Sequence, residues 1–389
     1  MKSNGKKRKY EILLLVETSR VYGRDIIRGV TRYATEQSGT WYVQFHDRGS
    51  GEKPPNWLEH WVGDGIITRS SSKRMEKIIR EHGVPFVELC GTSSIPEVVC
   101  DDKKNGQMAA EHFFSRGFRN FAYFGIGNSW WVRWRQDNFL HAVKSYGMAC
   151  QCFIQKSNSR SLFSSWDKTN EDKLIQWIRE LPKPTGLYCA SEINALVIVD
   201  VCRKAGIKIP HEIAVLGVDN DETICSLSDP QISSIETNGF QVGYKAAWLL
   251  HQRMQGTRGV VKTPILIPSL RVVTRHSTDL IAIEDEDVAA AIHFIRMNAT
   301  SGITVTDVEN HVSISHTTLF RKFLRYLGHS PEREIINVRI LQAKQLLCET
   351  NLSLDHISSQ VGITPTSYFV RVFKRETGET PQRFRMIQK

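Results

Sequence analysis

The sequence predicts an α/β domain followed by an all-helical domain, and three observations predict it. From Tyr10 to about Arg275, short β-branched apolar runs alternate with amphipathic stretches, as a parallel sheet covered by helices requires. From Val288 onward the pattern is helical throughout, with Gly and Pro only where helices can end. Inside this helical region a single segment occurs twice.

In chain order, strands are expected at Tyr10 to Val16, Trp41 to Phe45, Gly65 to Thr68, Pro85 to Glu88, Phe121 to Gly125, Gly186 to Cys189 and Ala214 to Val218. Helices are expected at Asp25 to Thr35, Gly106 to Arg116, Trp134 to Tyr146, Asn170 to Glu180, Ala195 to Ala205 and Val242 to Met254. In the last of these Val242, Ala246, Leu249, Leu250 and Met254 recur at helical spacing. The strand pattern stops near Arg275. Residues 276–287 are polar and acidic apart from Leu280 to Ile283, which makes them the expected linker between a domain over 8–275 and a helical domain over 288–389.

The repeat in the helical domain is Val312-Ser-Ile-Ser-His-Thr-Thr-Leu-Phe320 closing with Gly328-His-Ser-Pro331, and again Val361-Gly-Ile-Thr-Pro-Thr-Ser-Tyr-Phe369 closing with Gly378-Glu-Thr-Pro381. A matched helix precedes each copy, starting at Thr304 and at Ser353, so each unit reads as helix, turn, helix. Thr304 with Asp307 has the spacing of a capping box, while Ser315, and Thr364 before Pro365, can open the second helices. Leu319 with Phe323, and Phe369 with Phe373, lie four apart and can face a small core. The opposite faces are then available to a partner.

Composition narrows the function classes. The 389 residues carry 51 Lys and Arg against 41 Asp and Glu, a formal charge of +10 that suits a polyanionic partner. No segment approaches the apolar length of a membrane span, and the apolar run after the basic Lys6 to Lys9 is too short for a signal core, so the chain is expected in the cytoplasm with no membrane partner. The eight cysteines show no Cys-x-x-Cys spacing, and neither a disulfide scaffold, a metal site nor a cofactor is expected.

Charge distribution says more than the total. Asn310 to Pro331 contains no acid but holds Arg321, Lys322 and Arg325; His356 to Arg375 contains none but holds Arg371, Lys374 and Arg375. Two acid-free, Arg-bearing helices suit the phosphate charge and the helix-wide major groove of a DNA duplex. The stretch from Ile357-Ser-Ser-Gln-Val-Gly-Ile-Thr-Pro-Thr-Ser-Tyr-Phe to Arg385 resembles the signature of the AraC/XylS family of transcription regulators, over about 100 C-terminal residues. That resemblance implies recognition helices at Ser315 to Phe323 and Thr364 to Phe373, with His316, Thr317, Phe320 and Arg321 in the first groove and Thr366, Ser367, Val370 and Arg371 in the second. Arg321 and Arg371 can donate to guanine as a fork; Lys322 and Lys374 suit phosphate contact or solvent. Phe320 can touch a thymine methyl or belong to the core. Two positions depart from the family pattern: Glu309 replaces a small residue, and Ser313 replaces the turn glycine.

The α/β half contains no Gly-x-Gly-x-x-Gly, P-loop, Gly-x-Ser-x-Gly or His-x-x-x-His motif. It does place polar groups after three strands, where ligands of open α/β sheets sit: Trp130, Trp131 and Trp134 beside Arg135; Ser191 and Glu192; Asp219 and Asn220. Indole planes can cover the C–H faces of a small sugar, while an Arg fork and carboxylates meet its hydroxyls. The bland alternatives are a loop-edge core cluster for the tryptophans, a turn cap for Asp219 and a helix-cap neighbour for Glu192.

Tyr22-Gly-Arg-Asp-Ile-Ile-Arg-Gly-Val-Thr-Arg-Tyr33, Val99-Cys-Asp-Asp-Lys-Lys-Asn-Gly-Gln-Met-Ala-Ala-Glu-His112, Gly117 to Gly125 and Val215-Leu-Gly-Val-Asp-Asn220 resemble the LacI/GalR-type sensor domain, related to periplasmic sugar-binding proteins. The resemblance implies a two-lobed fold of that type, an effector arginine at Arg135, an effector aspartate at Asp219, and ligand contacts from Tyr22, Ser191, Glu192, Trp130, Trp131 and Trp134. Ser191-Glu192 stands where the family has Asn-Asp. No helix-turn-helix pattern precedes Tyr10, so the reader follows the sensor. In that order the chain resembles bacterial regulators of pentose operons along nearly its whole length, and this resemblance implies a sugar-induced activator of pentose-use genes with D-xylose as effector, double-stranded operator DNA as partner, a homodimer, and RNA polymerase as a further partner. The rivals are a regulator for another sugar and a sugar-processing enzyme fused to a DNA-binding module.

The groove assignment predicts that Arg321→Ala or Arg371→Ala each costs roughly 1–3 kcal/mol of affinity at the specific site and relaxes preference for the base it reads. Binding titrations against matched and singly altered duplexes measure both; unchanged affinity and preference in both variants would put the recognition helices elsewhere.

Overall fold

In a computed structural model the described residues are 9–37, 40–46, 53–69, 73–90, 97–127, 129–155, 168–256, 263–280, 282–283 and 285–388. Lys6 to Arg8 of the basic N-terminal run, and Ile281 and Glu284 of the expected linker, lie outside them. The chain divides into two units, Met1–His112 with Asn120–Asp279, and Phe113–Arg119 with Leu280–Lys389.

The first unit contains two parallel-sheet lobes. Strands β1 (Tyr10–Leu15), β2 (Trp41–Phe45), β3 (Gly65–Thr68) and β4 (Phe86–Glu88) form the first sheet in the order β2-β1-β3-β4, with α1 (Val21–Glu36) and α2 (Lys73–Glu81) between them. β5 (Val98–Cys100) then leads into α3 (Asp102–Phe114). The second lobe follows as β6 (Asn120–Ile126), α4 (Trp130–Ser145), β7 (Cys150–Gln155), α5 (Lys168–Glu180), β8 (Thr185–Cys189), α6 (Glu192–Ala205), β9 (Ile213–Val218), α7 (Glu222–Leu227) and β10 (Ser233–Glu236). Helix α8 (Gly239–Met254) returns to the first lobe, β11 (Ile265–Ile267) pairs with β5, and β12 (Arg271–Val273) closes the second sheet, ordered β12-β10-β9-β8-β6-β7, antiparallel to β10.

Helices on both faces explain why the central strands read as unbroken apolar runs. Ile12, Leu14 and Val16 enter a core shared with α1 and α8, whereas Leu13 and Leu15 enter a second core with Ile66, Met75 and Ile79 on the other face. Helices α1 and α8 approach closely because glycines face each other: a Cβ on Gly243 would fall on the Ile26 carbonyl, and one on Gly29 on the Phe240 carbonyl.

The second unit is helical after Asp285: α9 (Glu286–Asn298), α10 (Val305–Val312), α11 (His316–Leu327), α12 (Pro331–Glu349), α13 (Leu354–Gln360), α14 (Thr366–Thr377) and α15 (Pro381–Gln388). One core gathers Leu319, Phe323, Val308 and Ile295; another gathers Phe369, Phe373, Ile357 and Phe384. The capping pattern holds at its first two sites, with Asp307 accepting from the Thr304 amide at 2.7 Å and Ser315 Oγ from the Thr318 amide at 3.4 Å. Ser313, at the turn where glycine was expected, adopts φ +58°, the left-handed region that glycine favours. Arg333 at the start of α12 ion-pairs with buried Glu376 near the end of α14 at 2.6 Å, tying the second unit's two halves together.

The structure alters two expectations. Residues His276–Thr278 are not linker: Ser277 and Thr278 are fully buried, because Ser277 Oγ donates to the Val215 carbonyl at 2.6 Å and accepts from the Ser233 amide at 2.8 Å. Trp130 and Trp131 lie in the first turn of α4, which starts four residues earlier than its apolar spacing suggested.

Gly243→Ala is predicted to destabilise the first unit by about 1–3 kcal/mol, because the α1 and α8 backbones must separate to admit a methyl group. A lower urea midpoint for the first unit with an unchanged second transition is the expected result.

Candidate functional site

Arg135, on α4, is buried, and three of its donors are engaged: Nε by Asp102 Oδ1 at 3.0 Å, Nη1 by the Ala190 carbonyl at 2.6 Å, and Nη2 by Asp219 Oδ1 at 3.4 Å. Burial opposes its charge, but the carboxylates of Asp102 and Asp219 hold it protonated well above the ordinary guanidinium value. The Trp131 ring lies under the guanidinium at 5.3 Å. These groups come from the ends of different strands: Asp102 after β5, Ala190 after β8 and Asp219 after β9.

Tyr22 opens α1 and is buried beside this cluster. Burial first, then the charges of Cys100, Asp219 and Asp102, push its hydroxyl well above the ordinary phenol value. Among the described residues neither Tyr22 Oη nor Asn105 Oδ1 has a hydrogen-bond partner, although Asn105 Nδ2 donates to Asp102 at 2.8 Å. Arg24, also on α1, donates to Asp221 of the second lobe at 3.1 Å and to the Thr18 carbonyl at 2.9 Å. The first lobe therefore reaches the second at the rim of this cluster.

The structure brings together Arg135, Asp219, Tyr22 and Trp131 of the expected ligand residues, and adds Asp102 and Asn105. Four others differ. Trp134 is 52% exposed and turned outward. Trp130 is half-buried at the start of α4. Ser191 caps α6, its Oγ accepting from the Asn194 amide at 3.5 Å. Glu192 points behind the β9 end, where Oε1 accepts from the Asn220 amide at 2.6 Å and from Ser234 Oγ. That bond holds an unusual turn, since Asp219 and Asn220 sit at φ +102° and +54°. Asp102 escaped the sequence reading because it precedes the glycine at which α3 was expected to begin. The strand it follows, β5, is three residues long and leaves too little pattern in the sequence to flag it.

On the second unit, α11 exposes His316, Thr317, Phe320 and Arg321, and α14 exposes Ser367, Arg371 and Lys374. Phe320 is 40% exposed and stacked on His316, which places it outside the core. Glu309, one of the two departures from the family pattern, brings its Oε1 to 2.5 Å from His316 Nδ1. Three of the expected contacts are drawn inward. Lys322 Nζ meets Asp285 at 2.8 Å and Asp287 at 2.6 Å, anchoring the start of α9 instead of facing solvent. Thr366 Oγ1 donates to Asp355 at 2.6 Å, tying α14 to α13, and Val370 packs against the second core. Exposed Tyr368, under the Arg371 guanidinium at 5.5 Å, joins this face unforeseen. An aromatic followed three residues later by Arg was the signal for it.

Comparison with known proteins covers nearly the whole chain. Residues 11–99 match the XylR N-terminal domain family, 110–278 the periplasmic binding protein-like domain family and 309–386 a helix-turn-helix domain family. The xylose operon regulatory protein of Escherichia coli K12 is 29% identical, covering 98% of each chain; that of Haemophilus influenzae Rd is 28% identical, covering 97% of this chain and 98% of the relative. A solved structure of a xylose-binding transcription activator aligns over 98% of this chain and 99% of its own with 27% identity and a TM-score of 0.61. A ribose-bound LacI family regulator from Enterococcus faecalis shares the fold of the first unit, at 19% identity and a TM-score of 0.54 over 71% of this chain and all of its own.

Burial first, then the Asp219 charge, pushes the Glu192 carboxyl up to about 8, so it is protonated at neutral pH. The folded chain keeps this proton up to about pH 8, whereas the unfolded chain releases it above the ordinary value of 4.5. The group's contribution to stability is therefore full below pH 4.5 and is lost as pH rises toward 8. Glu192→Gln is predicted to remove that loss, raising the first unit's urea midpoint over wild type at pH 8 and leaving it equal near pH 4.5. Parallel pH slopes for the two proteins would refute a neutral Glu192.

Proposed function

We propose that the chain is a xylose operon regulator, whose order of sensor and reader it shares along nearly its whole length, and that D-xylose is the effector held at Arg135. It is a sugar-responsive, DNA-binding transcription regulator and not an enzyme. The single observation that carries the effector assignment is the buried Arg135 clamped between Asp102 and Asp219, with the Tyr22 hydroxyl unpartnered beside it.

A guanidinium has five N–H donors, and three are engaged within the protein, which leaves two for a sugar's oxygens. Asp102 and Asp219 accept from hydroxyls, the Asn105 Oδ1 and Tyr22 Oη supply an acceptor and a donor, and the Trp131 plane covers a C–H face. Trp134, Ser191 and Glu192 take no direct part in this reading: the first faces outward, and the others are spent on a helix cap and on the Asp219-Asn220 turn. A sugar bonded to both lobes favours the arrangement in which Arg24 meets Asp221, and it shifts the balance only by its differential affinity for the two arrangements.

The reader unit binds operator DNA through α11 and α14. We assign direct base contact to Arg321 and Arg371, apolar contact to Phe320, and phosphate contact to Lys374, with His316, Thr317 and Ser367 at the groove edge. The acid-free stretches favour this arrangement by releasing counterions from the duplex. The protein acts in this proposal as a cytoplasmic homodimer that recruits RNA polymerase once sugar is bound. Among the described residues no helix is long and apolar enough to cross a membrane.

Calorimetry with D-xylose is expected to give binding heat that Asp219→Asn weakens at least tenfold, a variant that preserves side-chain shape. Operator affinity at fixed salt is expected to differ with and without D-xylose. No heat from D-xylose while L-arabinose or D-ribose binds would replace the effector; no heat from any pentose or hexose would remove the sugar reading.

A further inference from the structure

Arg275 links the turn that follows Asp219 to the segment through which the chain leaves the first unit. Its Nη2 donates to Asn220 Oδ1 at 2.9 Å, one residue from Asp219, and its Nη1 donates to the Ile232 carbonyl at 3.0 Å. Its backbone exchanges two bonds with Ser233: the amide donates to Ser233 Oγ at 2.8 Å, and Ser233 Oγ lies 2.9 Å from its carbonyl. Four residues later the chain leaves the first unit, after Asp279.

The segment between is fixed along its length. Thr278 Oγ1 donates to the same Ser233 Oγ at 2.7 Å, and Ser277 bridges Val215 and Ser233. Another covalent route out of the sensor is α3, which begins with Asp102 at Arg135 and whose last residues, Phe113 and Phe114, already belong to the second unit. The two routes are joined where they leave, His112 Nε2 lying 2.8 Å from Thr278 Oγ1. Both routes thus start at groups bonded to the Arg135 cluster, and both end at one buried contact.

We propose that Arg275 is the coupling residue of this regulator: it transmits the position of the Asp219-Asn220 turn to the segment that continues into the DNA-reading unit. The proposal rests on the reading of Asp219 as a sugar ligand. The turn is held in the left-handed region at two successive residues, with Glu192 bonded to the Asn220 amide. A sugar hydroxyl drawing on Asp219 bears on a strained element, and strained elements have discrete alternative arrangements. Asn220 follows Asp219 in any such change. The guanidinium attached to Asn220 then draws Arg275 against Ser233, and with it the start of the exit segment. Arg275 itself lies outside the sugar cluster, so affinity for sugar and affinity for DNA are separable from the link between them.

The test measures that link as a ratio. Full-length wild type and R275A are titrated calorimetrically with D-xylose, and then with a duplex that the wild-type chain selects from a random pool, at one salt concentration, with and without saturating D-xylose. R275A is expected to bind D-xylose and the duplex without sugar within threefold of wild type, while its ratio of duplex affinities with and without sugar falls to within twofold of one. N220G cuts the same bridge from its other end in a residue type that tolerates φ +54°, so it lowers the ratio even if R275A does not fold. The double variant is expected to lower it no further than either single change. A wild-type ratio retained by both single variants would overturn the proposal and leave the sugar reading standing. Absence of heat from wild type with D-xylose, L-arabinose, D-ribose and D-glucose alike would overturn both.

Discussion

A positive charge buried at the meeting point of two lobes sets the constraints on the sensor. Removing a guanidinium from water costs several kcal/mol, and the cost is met only if carboxylates and carbonyls surround it with good geometry. Asp102, Asp219 and the Ala190 carbonyl do so, and each hangs from a different strand end. The parallel sheets therefore act as a frame: β5, β8 and β9 must end where they do for Arg135 to remain compensated. The glycine contact between α1 and α8 serves the same end, because α1 carries Tyr22 and Arg24 to the rim of the cluster.

The reader is built on a different economy. Its two small cores each hold a pair of phenylalanines or a leucine and a phenylalanine four apart, which leaves the outer faces of α11 and α14 almost unused by the protein. Where side chains on those helices do turn back, they tie local structure together, as Lys322 does with the acids opening α9 and Thr366 with Asp355. Apart from Leu324, what remains outward is aromatic, hydroxylic and cationic.

Much of this was legible in the sequence. The alternation of apolar runs located seven strands to within about a residue or two, because strands buried on both faces leave unbroken β-branched runs. It missed five: β5, β11 and β12 are three residues long, and β7 (Cys-Gln-Cys-Phe-Ile-Gln) and β10 (Ser-Ser-Ile-Glu) mix polar residues among their apolar ones, so none carries an unbroken β-branched run. Arg135, Asp219 and Tyr22 were readable from their places after strands and in the resemblance to sugar sensors. The direction a side chain takes was not. Glu192 and Asp219 both follow strands, yet one faces the arginine and the other supports the turn from behind, and only the backbone at φ +102° and +54° separates the two roles. The same holds for Trp134, whose indole shares a helix with Arg135 but lies on another face, and for Lys322, whose acidic partners belong to the segment read as linker. Ser313 shows the reverse case: the residue departs from the expected glycine while the backbone keeps glycine's conformation.

The bidentate pairing of Arg333 with Glu376 has an effect on the nucleic acid more than on the protein. It spans from the end of the first reading unit to the end of the second, so the distance and twist between α11 and α14 are set before any duplex arrives. A reader of this kind behaves as a rigid calliper. When two stretches of bases are out of phase with its jaws, the adjustment falls on the double helix, whose bending and twisting stiffness depend on the intervening sequence, and nucleotides that no side chain touches thereby acquire a vote in which promoters are chosen.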